Sequence, residues 1–196
     1  VALWPALRRI TERVAIKNSP LFDVEEAFRL FGRCGVEVIS LGGECKEVNI
    51  YADGREPMLA AEAVGRARVE YLRSEVDDTP CEGEFAAEEY GWLIIPDVAL
   101  QKARLAVHAL REKADIWSNN SFAFARVEPE GVVGRVEQIE RIEVFDIKQL
   151  KKSLKGRKVD IILRDFPMGV DEFRRKTGTK SGSADRLALT KVNGKL

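Results

Sequence analysis

Three observations predict a chain of mixed α/β and α+β architecture. Short β-rich runs alternate with short amphipathic runs along the 196 residues. Two of the β-rich runs flank Gly42-Gly43 as the arms of a hairpin would, and the last quarter reads helix, strand, helix, strand. With 45% apolar residues the chain can bury a real core, and its length suits one large domain or two small ones.

The first helix is expected over Ala2 to Glu12, starting near Pro5, which suits a first helical turn. Arg13 to Lys17 follows as a short strand. Asn18 to Phe22 then turns the chain, and Asp23 is placed to cap a helix over Val24 to Phe31. Val36 to Leu41 and Glu44 to Ala52 form the hairpin. Met58 to Asp78 is ambiguous, since Val69-Glu70-Tyr71-Leu72 fits a strand or a helix end. Asp77-Asp78-Thr79-Pro80 reads as a linker and marks a domain boundary. Trp92 to Ile95 is a buried strand, and Asp97 should cap one helix reaching Lys113, with Leu100, Ala103, Val107 and Leu110 inward and Gln101, Arg104, His108 and Arg111 wet. His108, the only histidine, has no catalytic partner in the pattern and is expected to do nothing chemical. Ser121 to Val127 and Val132 to Phe145 read as strands.

In the last quarter, Asp146 should cap a helix through Lys155 that Gly156 ends. Lys158 to Asp165 is a strand, Val170 to Lys176 a second helix stopped by Gly178, and Arg186 to Val192 a strand before an Asn193-Gly194 turn. Charge singles this quarter out. Residues 146–196 carry 14 Lys/Arg against 6 Asp/Glu, while residues 1–80 carry 11 against 14 and residues 81–145 carry 7 against 12. A net charge of zero therefore hides a basic end fit for a polyanion. The loop Thr177 to Ser183 can offer hydroxyls and backbone N–H groups to phosphate, but it lacks the spacing of a nucleotide-binding P-loop. Cys34, Cys45 and Cys81 are odd in number and far apart, which argues against a disulfide framework or a metal site. No apolar run approaches the roughly 18 residues of a membrane span, so a cytoplasmic protein is expected.

Four stretches then resemble one family: Lys17-Asn18-Ser19-Pro20-Leu21-Phe22-Asp23, Ser40-Leu41-Gly42-Gly43-Glu44-Cys45-Lys46-Glu47-Val48, Gly91-Trp92-Leu93-Ile94-Ile95-Pro96-Asp97 and Leu187-Ala188-Leu189-Thr190-Lys191-Val192. Their order is similar to the C-terminal part of bacterial class I S-adenosylmethionine-dependent methyltransferases that carry a THUMP-like, ferredoxin-fold C-terminal domain. The resemblance implies that residues 1–80 are the C-terminal strands and helix of a catalytic domain, the tail of its sheet. Residues 81–145 would be a ferredoxin-like region and residues 146–196 a basic THUMP-like region. It also implies RNA as partner, tRNA or rRNA, because THUMP-type domains accompany RNA modification.

The departures carry equal weight. Gly42-Gly43 lies in a hairpin with no following helix, so it cannot be the glycine-rich turn that approaches the cofactor. S-adenosylmethionine is thus expected in the full-length parent only, with none bound by this chain and no metal. Asn18-Ser19-Pro20-Leu21-Phe22 resembles the family's N-P-P-[YF] loop but lacks its second proline, which leaves Asn18 and Ser19 as weak catalytic candidates. The start at Val1 predicts a piece of a longer protein whose N-terminal catalytic half is missing.

The expected function is RNA binding on behalf of that half, through Lys148, Lys151, Lys152, Lys155, Arg164, Arg174, Arg175, Lys176 and Lys180. Two alternatives stand beside it: a non-catalytic RNA- or protein-binding module, and a basic face that docks on the acidic remainder of its own chain.

Overall fold

The computed structural model describes residues 3–182 and 185–192. The chain opens with α1 (Trp4–Ile10), β1 (Val14–Asn18), α2 (Val24–Phe31), β2 (Gly35–Leu41), β3 (Glu44–Ala52), β4 (Met58–Ala63) and β5 (Ala67–Leu72). There follow β6 (Trp92–Pro96), α3 (Val98–Lys102), α4 (Ala106–Leu110), β7 (Asp115–Ile116), β8 (Ala123–Ala125) and β9 (Gly134–Gln138). The last quarter holds α5 (Ile147–Leu154), β10 (Asp160–Arg164), α6 (Val170–Thr177) and β11 (Arg186–Thr190). The mixed α/β architecture is as expected, with three sheets ordered β1-β3-β2-β4-β5, β7-β8-β6-β9 and β10-β11.

The five-stranded sheet is built on the expected hairpin. Gly42 and Gly43 take φ of 64° and 84°, the left-handed pair that a two-residue turn between twisted strands demands. Asp23 caps α2 by accepting the N–H groups of Glu25 and Glu26. The stretch that was ambiguous in sequence becomes β4 and β5, with β4 parallel to β2 and β5 antiparallel to β4. Alternation decides which face is covered: Val36, Val38, Val48, Ile50 and Ala61 are buried with Val24, Ala27 and Phe28 of α2 and with α3 and α4. Glu37, Tyr51 and Arg68 line the other face and bond one another.

That apolar core draws on residues from both sides of Asp77–Pro80, since Leu100, Leu105 and Val107 join the sheet residues in it. The four-stranded sheet is the middle layer. Ile94 and Ala123 face this core, whereas Leu93, Ile95 and Phe124 face a second cluster containing Val192, against which Ile162 and Ala188 pack. The parallel β10–β11 pair carries α5 and α6 on its far side, over Ile161, Leu187, Leu189 and Phe173.

Three expectations are corrected. The helix predicted from Asp97 to Lys113 is two helices, broken where Arg104 takes a φ of 57°. A single helix would have aimed Leu105 well away from Leu100; the break lets Leu100, Leu105, Ala106 and Val107 all bury. The strands predicted over Ser121–Val127 and Val132–Phe145 shrink to β8 and β9. Gln101 and His108, expected on a wet face, are only half exposed. The Asn193-Gly194 turn lies outside the described residues.

Gly134 lets β9 approach β6 and the turn into α3: a Cβ there would sit 2.5 Å from the Ile95 carbonyl oxygen and 3.2 Å from the Asp97 nitrogen. Both neighbours are backbone and cannot yield cheaply. Gly134→Ala is expected to lose about 2 kcal/mol or more in urea unfolding; an unchanged midpoint would show that the strands can part without cost.

Candidate nucleic-acid interface

Two capped amphipathic helices position the basic residues. Asp146 Oδ1 accepts the N–H groups of Lys148 at 2.7 Å and Gln149 at 3.2 Å, which fixes the start of α5. Ile147, Leu150 and Leu154 then turn inward and the lysines outward. In α6, Phe173 is fully buried and Gly178, at a φ of 74°, ends the helix in the left-handed conformation.

Both helices finish at the edge where β10 and β11 begin. Gly156 N–H donates to Gly178 O at 3.1 Å, Lys180 N–H to Arg157 O at 2.8 Å and Val159 N–H to Lys180 O at 3.0 Å. Those bonds gather Lys151 and Lys152 of α5 and Lys155 just past its end with Arg175 and Lys176 from α6. Lys158 and Lys180 lie opposite each other across an isolated parallel bridge. All are exposed. Lys176 pairs with Glu172 at 2.7 Å. Among the described residues, Lys148, Lys151, Lys152, Lys155, Lys158, Arg175 and Lys180 form no ion pair.

Two effects decide what this edge tolerates. Cations in a last helical turn complement the macrodipole by about 0.3–1 kcal/mol each, which accounts for part of the pattern without a ligand. Directly opposed like charges on adjacent strands work the other way, by a few tenths of a kcal/mol. Among the described residues Lys158 and Lys180 form no ion pair, so a polyanion laid along the edge would relieve their repulsion.

Arg164 and Arg174 are half-buried and do not join the exposed row. Arg164 is half-buried on the opposite face of β10, and burial first, then the neighbouring Arg135, push it below the usual arginine range. Arg174 spends Nη2 on the Val159 carbonyl at 3.1 Å. Thr177 and Thr179 turn inward, their hydroxyls 3.0 Å apart and that of Thr177 donating to Phe173 O, so they are not offered to phosphate. Ser183 lies outside the described residues. Lys158 was missed because it reads as the first residue of a strand; only its pairing with Lys180 reveals it.

At the carboxyl end of β1, Ser19 Oγ accepts the Leu21 N–H at 3.2 Å, a turn-forming contact. Asn18 Nδ2 is buried without a partner. His108 is structural: its Nδ1 accepts the Asp77 N–H at 3.1 Å and its ring meets Tyr71 edge-on. Arg111, chiefly, and Thr79 hold the Asp77 carboxyl well below the usual carboxylate range. Asp97 ties two parts of the chain together. Its Oδ1 accepts the Ser40 hydroxyl at 2.5 Å and the Ala99 N–H at 2.9 Å, joining the end of β2 to the start of α3.

Residues 134–196 match the THUMP domain-like family. The match begins at β9, upstream of the basic quarter, so the THUMP-like region includes a strand of the middle sheet. The whole chain also superposes on a crystal structure of a candidate methyltransferase from Porphyromonas gingivalis W83, with a TM-score of 0.78 and 19% identity. It covers 100% of this chain and 52% of the other, so the chain spans about half the length of that protein. No curated protein sequence matches it. The likeness establishes a shared fold. The one double-glycine turn fits no S-adenosylmethionine cradle here: Gly42 and Gly43 close a hairpin, and β3 follows them instead of a helix. No described helix is long and apolar enough to cross a membrane.

Asp97→Ala is expected to cost about 1–3 kcal/mol, because it removes a cap and leaves the buried Ser40 hydroxyl only a long 3.5 Å contact to the Glu62 carbonyl. Asp97→Asn, which keeps an acceptor oxygen, should recover much of that loss in thermal unfolding. Equal losses in the two variants would mean that the negative charge, rather than the hydrogen bonds, is what the fold needs.

Proposed function

We propose that this chain is the RNA-binding portion of an RNA-directed, S-adenosylmethionine-dependent methyltransferase, with cofactor and chemistry supplied by a catalytic half outside this sequence. The observation that carries the reading is the edge of unpaired cations where α5 and α6 end, centred on the Lys158–Lys180 bridge. Its match to the THUMP-like family and the fold shared with the candidate methyltransferase support it. The partner suited to such an edge is a structured RNA, tRNA or rRNA, bound by phosphate neutralisation and shape. Exposed aromatic rings are not part of the edge, which disfavours stacking on single strands.

The catalytic half has a natural place in this proposal. Among the described residues β1 is an edge strand paired with β3, and its outer edge is where a further strand would add. The orphaned Asn18 amide at the end of β1 would find its acceptor there. The cytoplasm is the compartment in which such an enzyme would meet its RNA.

A second reading, a non-catalytic RNA- or protein-binding module, is favoured by one observation: the Gly42-Gly43 turn leads into β3 instead of a helix and so does not fit the cofactor. The idea that the basic face docks on the acidic remainder of the chain finds less support, since Arg186–Glu137 is the ion pair that joins the last quarter to the rest among the described residues.

Fluorescence-anisotropy titration with folded tRNA tests the proposal. With about 4–6 phosphates neutralised, doubling the salt should weaken binding by about tenfold or more. Lys151→Glu/Lys152→Glu/Lys158→Glu/Lys180→Glu should abolish binding while the circular dichroism spectrum is unchanged. A folded chain that ignores RNA at low salt, or a variant that binds normally, would sink RNA recognition at this edge. Methyl transfer to RNA by the parent protein, but not by a non-binding variant, separates the enzyme from the module.

A further inference from the structure

The seam between the two-stranded sheet and the middle sheet carries arginines that are treated differently at its two ends. At one end Arg186 is paired with Glu137 and with Asp160. At the other, Arg164 and Thr190 are the last residues of β10 and β11 and are partners in the parallel register. Residues on adjacent strands in register share a face, here that of Ile162 and Ala188, which pack toward Leu93, Ile95 and Phe124. Arg164 Nε and Thr190 Oγ1 are both buried without a hydrogen-bond partner. Arg135 stands across the seam on β9, opposite Ile95 and on the same face as it. It is close enough to Arg164 and to Arg186 to lower the proton affinity of both.

Among the described residues, no carboxylate forms an ion pair with Arg164 or Arg135. Asp97 and Asp165 are the acids within electrostatic reach of Arg164, and neither forms an ion pair with it. Asp97 Oδ1 is occupied by Ser40 and Ala99, and Asp165 Oδ2 accepts the Ser118 hydroxyl at 2.7 Å. Arg164 Nε and the Thr190 hydroxyl thus remain unspent in a half-buried place, where an unpaired charge is costly, with the exposed Arg135 guanidinium within electrostatic reach. Asp165 follows immediately with a φ of 48°, in the left-handed region that Asp tolerates better than most residues. The carboxyl ends of parallel strands are where open α/β layers bind ligands.

We propose that this seam end is a phosphate-binding site, distinct from the lysine edge, in which Arg164, Arg135 and Thr190 hold a tetrahedral phosphate group. The donor set fits that chemistry: a guanidinium presents paired N–H groups to two oxygens, and the hydroxyl reaches a third. The phosphate belongs either to a small phosphomonoester or to an RNA backbone. Arg164 therefore acts in a site of its own rather than in the row of surface lysines.

Isothermal titration of the 196-residue chain with inorganic phosphate, at constant ionic strength, tests this. Saturable binding at one site is expected, weakened at least about tenfold in Arg164→Met and several-fold in Thr190→Val, as loss of charged and neutral donors respectively requires. The four-lysine charge reversal should leave it unchanged. Without phosphate, Arg164→Met should melt at a higher temperature than wild type, since it removes an uncompensated charge. If Arg164→Met does not fold, the exposed Arg135→Gln carries the same comparison. A parallel loss of RNA affinity in these variants assigns the phosphate to the RNA backbone; unchanged RNA affinity assigns it to a small phosphomonoester. No saturable phosphate binding by wild type, or undiminished binding by the folded arginine variants, overturns the proposal. Failure of RNA binding with phosphate binding intact would overturn the RNA reading alone.

Discussion

One buried carboxylate fixes how the layers of this molecule meet. Asp97 caps α3, takes the hydroxyl of Ser40 from the end of β2, and sits where the absent side chain of Gly134 allows β9 to press against the turn. A charged acceptor of this kind is worth more than a neutral one, and its loss leaves donors without water to replace it. Because α3 packs on β2, β3 and β4, fixing its first turn also fixes the apolar layer between the five-stranded and four-stranded sheets. The remaining layers are then stacked on the far face of the middle sheet.

How far this was legible in the sequence depended on how local the cause was. The hairpin at Gly42-Gly43, the caps at Asp23, Asp97 and Asp146, and the stop at Gly178 are each decided by a few neighbouring residues, and all were readable. The break at Arg104 was not, because no glycine or proline announces it; it exists so that Leu105 can reach a core formed mostly by residues far away in sequence. β4 was unreadable for a related reason. Met58–Ala63 is nearly all small or apolar, buried between β2 and β5, and so lacks the alternation that marks a one-sided strand.

The basic quarter was legible as charge but not as geometry. Composition could not separate lysines that crown two helix ends from Arg164, which the strand's alternation turns to the inner face. The same two-residue period that sends Ile161 and Leu163 toward α5 and α6 sends Ile162 and Arg164 toward the middle sheet. Nor could sequence show that Thr177 and Thr179 spend their hydroxyls on each other.

The order of strands in the first sheet has a consequence for how the molecule is made. Among the described residues β1 pairs with Val48–Ala52, so on a ribosome that pairing must wait until the whole hairpin has emerged. During that interval the edge that β3 will cover is bare. Its outward-facing Lys17, which finally rests against Glu47, keeps a charge on the strand through the wait, and charge is what discourages one nascent chain from zipping onto its neighbour on the same message.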